Sequence, residues 1–191
     1  MDATSRLDEL RADFLANATL SMPIAGMIFW GVVALASLRF PPMTVALIVL
    51  FGSGMIFPLG VLLDRLRGRT MRSGTGGNPV MAMFLQSLGM VALLWPLVLV
   101  AAYAAHDPNL YVLGGAILMG IIWIPYGWAA DDQIGMEHAI GRGILCYAAF
   151  IFVPAPHKSL AISVVVMLAY LYSFARMRRP PMIAESEAKV W

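Results

Sequence analysis

Long apolar stretches, most of them of bilayer-crossing length, alternate along this chain with short polar breaks, and that alternation predicts the fold. The opening segment, MDATSRLDELRADFLA (1–16), mixes two arginines with four acids and puts Leu7, Leu10, Phe14 and Leu15 at helical spacing. It reads as an amphipathic helix lying at a membrane surface. Six apolar spans follow, at about 18–38, 43–63, 79–103, 110–130, 139–154 and 159–175. Pro41-Pro42 breaks the first pair apart, the Arg- and Gly-rich stretch DRLRGRTMRSGTGGN the second, and HDPN and PAPHK read as tight turns. Pro79 suits the first turn of a helix. The fifth span is short for a ~30 Å hydrocarbon core unless its helix begins near Gly135. Ala34-Leu35-Ala36 imitates a signal-peptidase site, but the segment ahead of it is net acidic and the apolar run is long enough to span, so retention is expected. The expected fold is all-α: a polytopic membrane helical bundle of six transmembrane helices over 17–176, with an interfacial helix before it and a polar tail, 177–191, after it.

Composition agrees with this reading. The 191 residues are 60% hydrophobic and 13% charged, with mean hydropathy +0.78, against roughly half apolar and a quarter charged in soluble domains. The lone Cys146 excludes an intramolecular disulfide and lies in an apolar run. The net charge of +2 does not point to nucleic acid, because the basic residues sort by topology. With both termini cytoplasmic, Arg6, Arg11, Arg65, Arg67, Arg69, Arg72, Arg142, Arg176, Arg178, Arg179 and Lys189 fall inside, and only Arg39 and Lys158 outside. This bias supports an even number of spans.

Two segments share the pattern P-x-G-x-x-x-D-x-x-x-G: Pro58, Gly60, Asp64 and Gly68, then Pro125, Gly127, Asp131 and Gly135. Duplication of a two-helix hairpin and coincidence in a biased composition both account for it; duplicated copies would be parallel repeats. The order of LRADF in the amphipathic start, MIFPLG in span two, Asn78-Pro79 before span three and IPYGW late in span four resembles a group of small bacterial six-helix membrane proteins of unknown function. The resemblance covers most of the chain and implies no activity.

The polar residues are few enough to weigh singly. WIPYGWAADDQIGMEHAIGR (123–142) gathers Asp131, Asp132, Glu137, His138 and Arg142 at the elbow between spans four and five. Carboxylates at a helix C-terminus are unfavourable and those at an N-terminus favourable. Asp131 and Asp132 therefore call for cations, and the repeat suggests that the arginine loop, Arg65 to Arg72, supplies them; solvation is the plainer account. Glu137 and His138 suit a cap. The sharper alternative makes Asp131, Asp132, Glu137 and His138 ligands of a divalent metal or members of a proton relay, though adjacent helical side chains diverge. No cofactor is implied. Inside the spans, Gln86 with the kinked helices at Pro58 and Pro125, and Tyr126 beside them, are the candidates to line a solute path. Three functions stay open: a small-solute transporter or permease-like protein, a non-catalytic assembly partner, and a membrane enzyme using the acidic elbow. The expected partners are the lipid bilayer, anionic lipid through Arg65, Arg67, Arg69 and Arg72, and further copies of the chain.

Overall fold

The structure, a computed structural model, describes residues 6–17, 20–67 and 77–178. Among these residues it is all-α, with no strands. Helices run over Leu7–Asn17 (α1), Ser21–Ser37 (α2), Pro42–Leu66 (α3), Pro79–Ala105 (α4), Asn109–Ala130 (α5), Ile134–Phe152 (α6) and Lys158–Arg176 (α7). Proline shapes three of them. Pro58, Pro96 and Pro125 have no N–H for the preceding turn, and the α-ladder is interrupted just ahead of each, at Ser53–Met55, Leu94 and Ile122. Asn78 opens α4 as a cap: its side chain accepts from Val80 N at 2.9 Å and Met81 N at 3.4 Å, with Pro79 in the first turn.

α7 packs along both α6 and α2, α5 lies against α6 and α3, and α2 pairs with α3. Their shared core is Trp30, Val33, Val45, Val49, Val112, Ala116, Cys146, Ile162 and Val166. α4 touches the bundle mainly through α5, and α1 lies across the ends of α4 and α5 with Phe14 buried against Val80, Ala129 and Ala130. Hydrogen bonds from Ser21 to Asp64, Asn78 to Leu10 and Arg178 to Asp132 gather the elbow end of the bundle. At the opposite end Ser159 Oγ donates to Asn109 Oδ1 at 2.8 Å.

The outer surface is apolar. Phe51, Leu93 and Phe152 are 74, 78 and 82% exposed, side chains that water would not favour on such a scale. Four helices, α3, α4, α5 and α7, are long and apolar enough to cross a membrane. Six spans were expected. α2 is shorter, at 17 residues, and α6 has its apolarity diluted by Glu137, His138 and Arg142.

The elbow requires glycine at two points. A Cβ on Gly135 would run into the carbonyl oxygen of Trp123 and the Cα of Gly127, and one on Gly127 would meet Asp132 O at 2.6 Å. The equivalent Gly60 is also buried, against Met22. The repeated aspartates differ: Asp64 is buried and accepts from Ser21 Oγ at 2.6 Å, whereas Asp131 is exposed. Gly68 lies outside the described residues.

Gly135→Ala is expected to cost about 1–3 kcal/mol of stability through overpacking, read from thermal unfolding in detergent. Gly141, with open space where a Cβ would go, is the control. Gly141→Ala should be neutral or stabilising by up to about 1 kcal/mol, and equal losses at both positions would contradict the close helix approach at the elbow.

Candidate functional site

The turn between α5 and α6 is built from backbone requirements. Asp131 adopts the left-handed conformation at φ 51° and ψ 48°, and Asp132 N donates to Gly127 O at 2.8 Å, which closes the end of α5 as a Schellman-type cap. Asp132 Oδ1 accepts from Ile134 N, the first residue of α6, at 3.1 Å. Its other oxygen accepts from Arg178 N at 2.7 Å. Asp131 is paired with Arg11 at 3.1 Å and Arg178 at 3.4 Å. Glu137, exposed in the first turn of α6, accepts from the Tyr172 hydroxyl at 2.7 Å.

These acids form a clasp that ties α1, the elbow and the end of α7 together. The expected partner, the arginine loop, is replaced among the described residues by Arg11 and Arg178. Arg65 and Arg67 are exposed, and Arg69 and Arg72 lie outside the described residues. The clasp flanks a polar cleft of about 210 Å³ lined by Asp132, Gln133, Ile134, Glu137, Arg176 and Arg178.

His138 and Arg142 go elsewhere. They sit one turn apart on the face of α6 that meets α2, α5 and α7, each only 1% exposed. The His138 ring stacks on Trp123 at 4.0 Å and 14°, and Tyr170 meets it edge-on at 5.3 Å. Its Nδ1 lies 2.7 Å from Ser173 Oγ, and its Nε2 lies 3.3 Å from Arg142 Nη1. An arginine can only donate, so Nε2 is the acceptor and Nδ1 carries the proton that goes to Ser173. Arg142 also faces two aromatic rings, Trp30 at 5.5 Å and Tyr170 at 5.7 Å. Gly120 lets its stem lie against α5, since a Cβ there would stand 3.2 Å from Arg142 Cδ.

No carboxylate accompanies this cation among the described residues. Nε and Nη2 of Arg142, and Nε1 of Trp30, are buried without an acceptor. Burial of a guanidinium costs several kcal/mol, and the two cation–π contacts, each on the order of 2 kcal/mol when desolvated, offset part of that without supplying a counter-charge. The centre is thus under-compensated in charge and rich in donors.

The single cluster expected from sequence therefore divides into an exposed clasp and a buried basic centre. The alternative metal set, Asp131, Asp132, Glu137 and His138, is not brought together here: no three of the described His, Cys, Asp or Glu side chains are grouped. Helical geometry is the reason, because consecutive residues Glu137 and His138 diverge by about 100°. The path-lining candidates do not meet at one place either. Gln86 and Pro58 face outward, Pro125 is half-buried, and Tyr126 packs on Trp123 and Phe14. Gln86 misses the interior because α4 is peripheral. Arg11, Trp30, Trp123, Tyr170 and Ser173 were not singled out as site residues; the i, i+4 spacing of His138 and Arg142 was the one local signal for a shared inward face.

Fold and site together define an all-helical bundle with four helices of membrane-crossing character, closed around a buried basic centre. The chain belongs to DUF7010, a family of unknown function, whose model matches residues 7–179. No curated protein and no solved structure is matched by the chain.

The two halves of the site should respond unequally to mutation. Asp131→Asn removes only wet ion pairs and is expected to cost less than ~1 kcal/mol. His138→Ala leaves a cavity and strips Arg142 of its acceptor, at about 3 kcal/mol or more. Chemical unfolding in detergent would measure both, and a larger loss at Asp131 would reverse the assignment of the structural centre.

Proposed function

We propose that the chain is an integral membrane protein of permease type that holds a small solute at the Arg142 centre. The observation carrying this reading is the buried, under-compensated Arg142, an expensive feature in an apolar bundle and one that marks a functional site. The approach to it runs along the α6–α7 seam. On α6, Ile134 lines the polar cleft, His138 lies one turn deeper and Arg142 two; on α7, Arg176 lines the cleft, with Ser173 and Tyr170 following at three-residue steps. A solute entering at the elbow would meet Ile134 as an apolar plug and then the His138 and Arg142 donors.

The reading includes six spans, both termini on the cytoplasmic side of a bacterial inner membrane, and anionic lipid at exposed Arg65 and Arg67. It also includes a homo-oligomer through α4, where outward-facing Gln86 would otherwise meet hydrocarbon. The enzyme alternative is weakened because the elbow carboxylates are engaged in hydrogen bonds and ion pairs.

Topology and transport are tested separately. Single cysteines replacing the exposed Arg67 and His106 should react with an impermeant thiol reagent from the cytoplasmic and external sides respectively, with native Cys146 silent because it is buried; the reverse pattern would overturn the orientation. In proteoliposomes carrying gradients of acetate, glycine, urea or glycerol, at least one solute should cross faster than in protein-free vesicles, and Arg142→Gln should abolish the difference. If none of the four crosses faster, the permease reading fails.

A further inference from the structure

We infer that the free edge of Arg142 is a binding site for one small monocarboxylate. The inference deepens the permease reading and rests on it only for the route by which the carboxylate arrives. Nη1 of Arg142 is already directed at His138 Nε2. The two nitrogens left without an acceptor, Nε and Nη2, share the opposite edge of the guanidinium plane. Their N–H bonds are parallel and spaced to meet the two oxygens of a planar carboxylate side-on. A third buried donor without an acceptor, Trp30 Nε1, belongs to the indole that lies 5.5 Å from the guanidinium carbon. A carboxylate oxygen engaged by arginine keeps a further lone pair for such an N–H.

Charge narrows the ligand class. One buried cation is neutralised by one negative charge, while a phosphate dianion would leave an excess and present more acceptor oxygens than three donors serve. Chloride balances the charge but has no planar pair of acceptors to match the fork. An uncharged amide presents one oxygen and adds donors to a place already rich in them. Size follows from the walls: Trp30, Tyr170 and the α5 backbone at Gly120 crowd the guanidinium. The group beyond the carboxyl carbon is therefore short, on the scale of acetate, when the ligand is a free solute. A carboxylate borne by a lipid would instead reach the same edge with its chain leaving between helices.

The test is equilibrium binding to the full chain in phosphatidylcholine nanodiscs, followed by NMR line broadening of 13C-acetate, with acetamide, chloride and phosphate as competitors and oleate as the lipid-borne carboxylate. Acetate should bind saturably and resist displacement by the three competitors. Trp30→Phe keeps an aromatic face over the guanidinium and removes one donor, so affinity should fall about tenfold. Arg142→Lys keeps the charge and removes the fork, so the loss should exceed tenfold; thermal unfolding confirms that both variants are folded. Binding of oleate without acetate supports the same chemistry with the bilayer as source. Absence of saturable binding by either carboxylate, displacement by chloride, phosphate or acetamide at the concentration of acetate itself, or unchanged affinity in folded Arg142→Lys would overturn the inference. Acetate bound with none of the four solutes transported would sink the permease reading and leave this site standing; transport of a neutral solute with no carboxylate binding would do the reverse.

Discussion

The burial of one guanidinium governs how the helices around it are arranged. Arg142 reaches from α6 across to Trp30 of α2 and Tyr170 of α7, with its stem on Gly120 of α5. A charge in so apolar a place is tolerated only if polarisable or accepting groups surround it on several sides. Four helices must therefore keep their register with one another. A slide of one turn in α7 would take Tyr170 off the cation and Ser173 off His138 in the same movement. His138 is held from both ring nitrogens, by the stacked Trp123 and by the edge-on contact with Tyr170, and it transmits the position of α7 to Arg142.

The elbow acids perform a different task in the same twenty residues. Asp131 and Asp132 lie where the chain reverses, and their partners come from the two ends of the described chain, Arg11 and Arg178. Each pair is wet and individually weak. Together they fix where α1 and the end of α7 sit above the polar cleft, so the electrostatics of the surface and of the interior are separated by a single helical turn.

Much of the fold was legible because apolar run length and Pro or Gly breaks are local signals. α3, α4, α5 and α7 follow the expected second, third, fourth and sixth spans to within a few residues at most ends. α6 begins at Ile134, ahead of its apolar run and beside the Gly135 start that a longer fifth span requires, because a helix tolerates Glu137 and His138 near its start. The site was half legible. Composition singled out the polar residues of the elbow, but which of them turn inward depends on helix phase set by the tight Gly127–Gly135 contact. The partners from α2 and α7 are distant in sequence, Ser173 lying 35 residues from His138 and Trp30 much farther from Arg142, and no local pattern announces such a meeting. Gln86 misled for a related reason: polarity within an apolar run marks a residue as unusual without saying which way it faces.

The docking of α1 bears on the order in which the molecule can assemble. Among the described helices α1 comes first in the chain, yet the surface that receives it is made of Asn78, Val80, Phe84, Tyr126, Ala129 and Asp131. Its ion pair with Asp131 closes a separation of 120 residues. At ordinary rates of synthesis that stretch takes roughly ten seconds to emerge. Over that interval the seat of Phe14 is incomplete, since Ala129 and Ala130 come late, and the carbonyl of Leu10 and carboxylate of Asp13 wait 68 and 65 residues for the Asn78 amide that joins them. The first of the described helices is thus among the last to find its place.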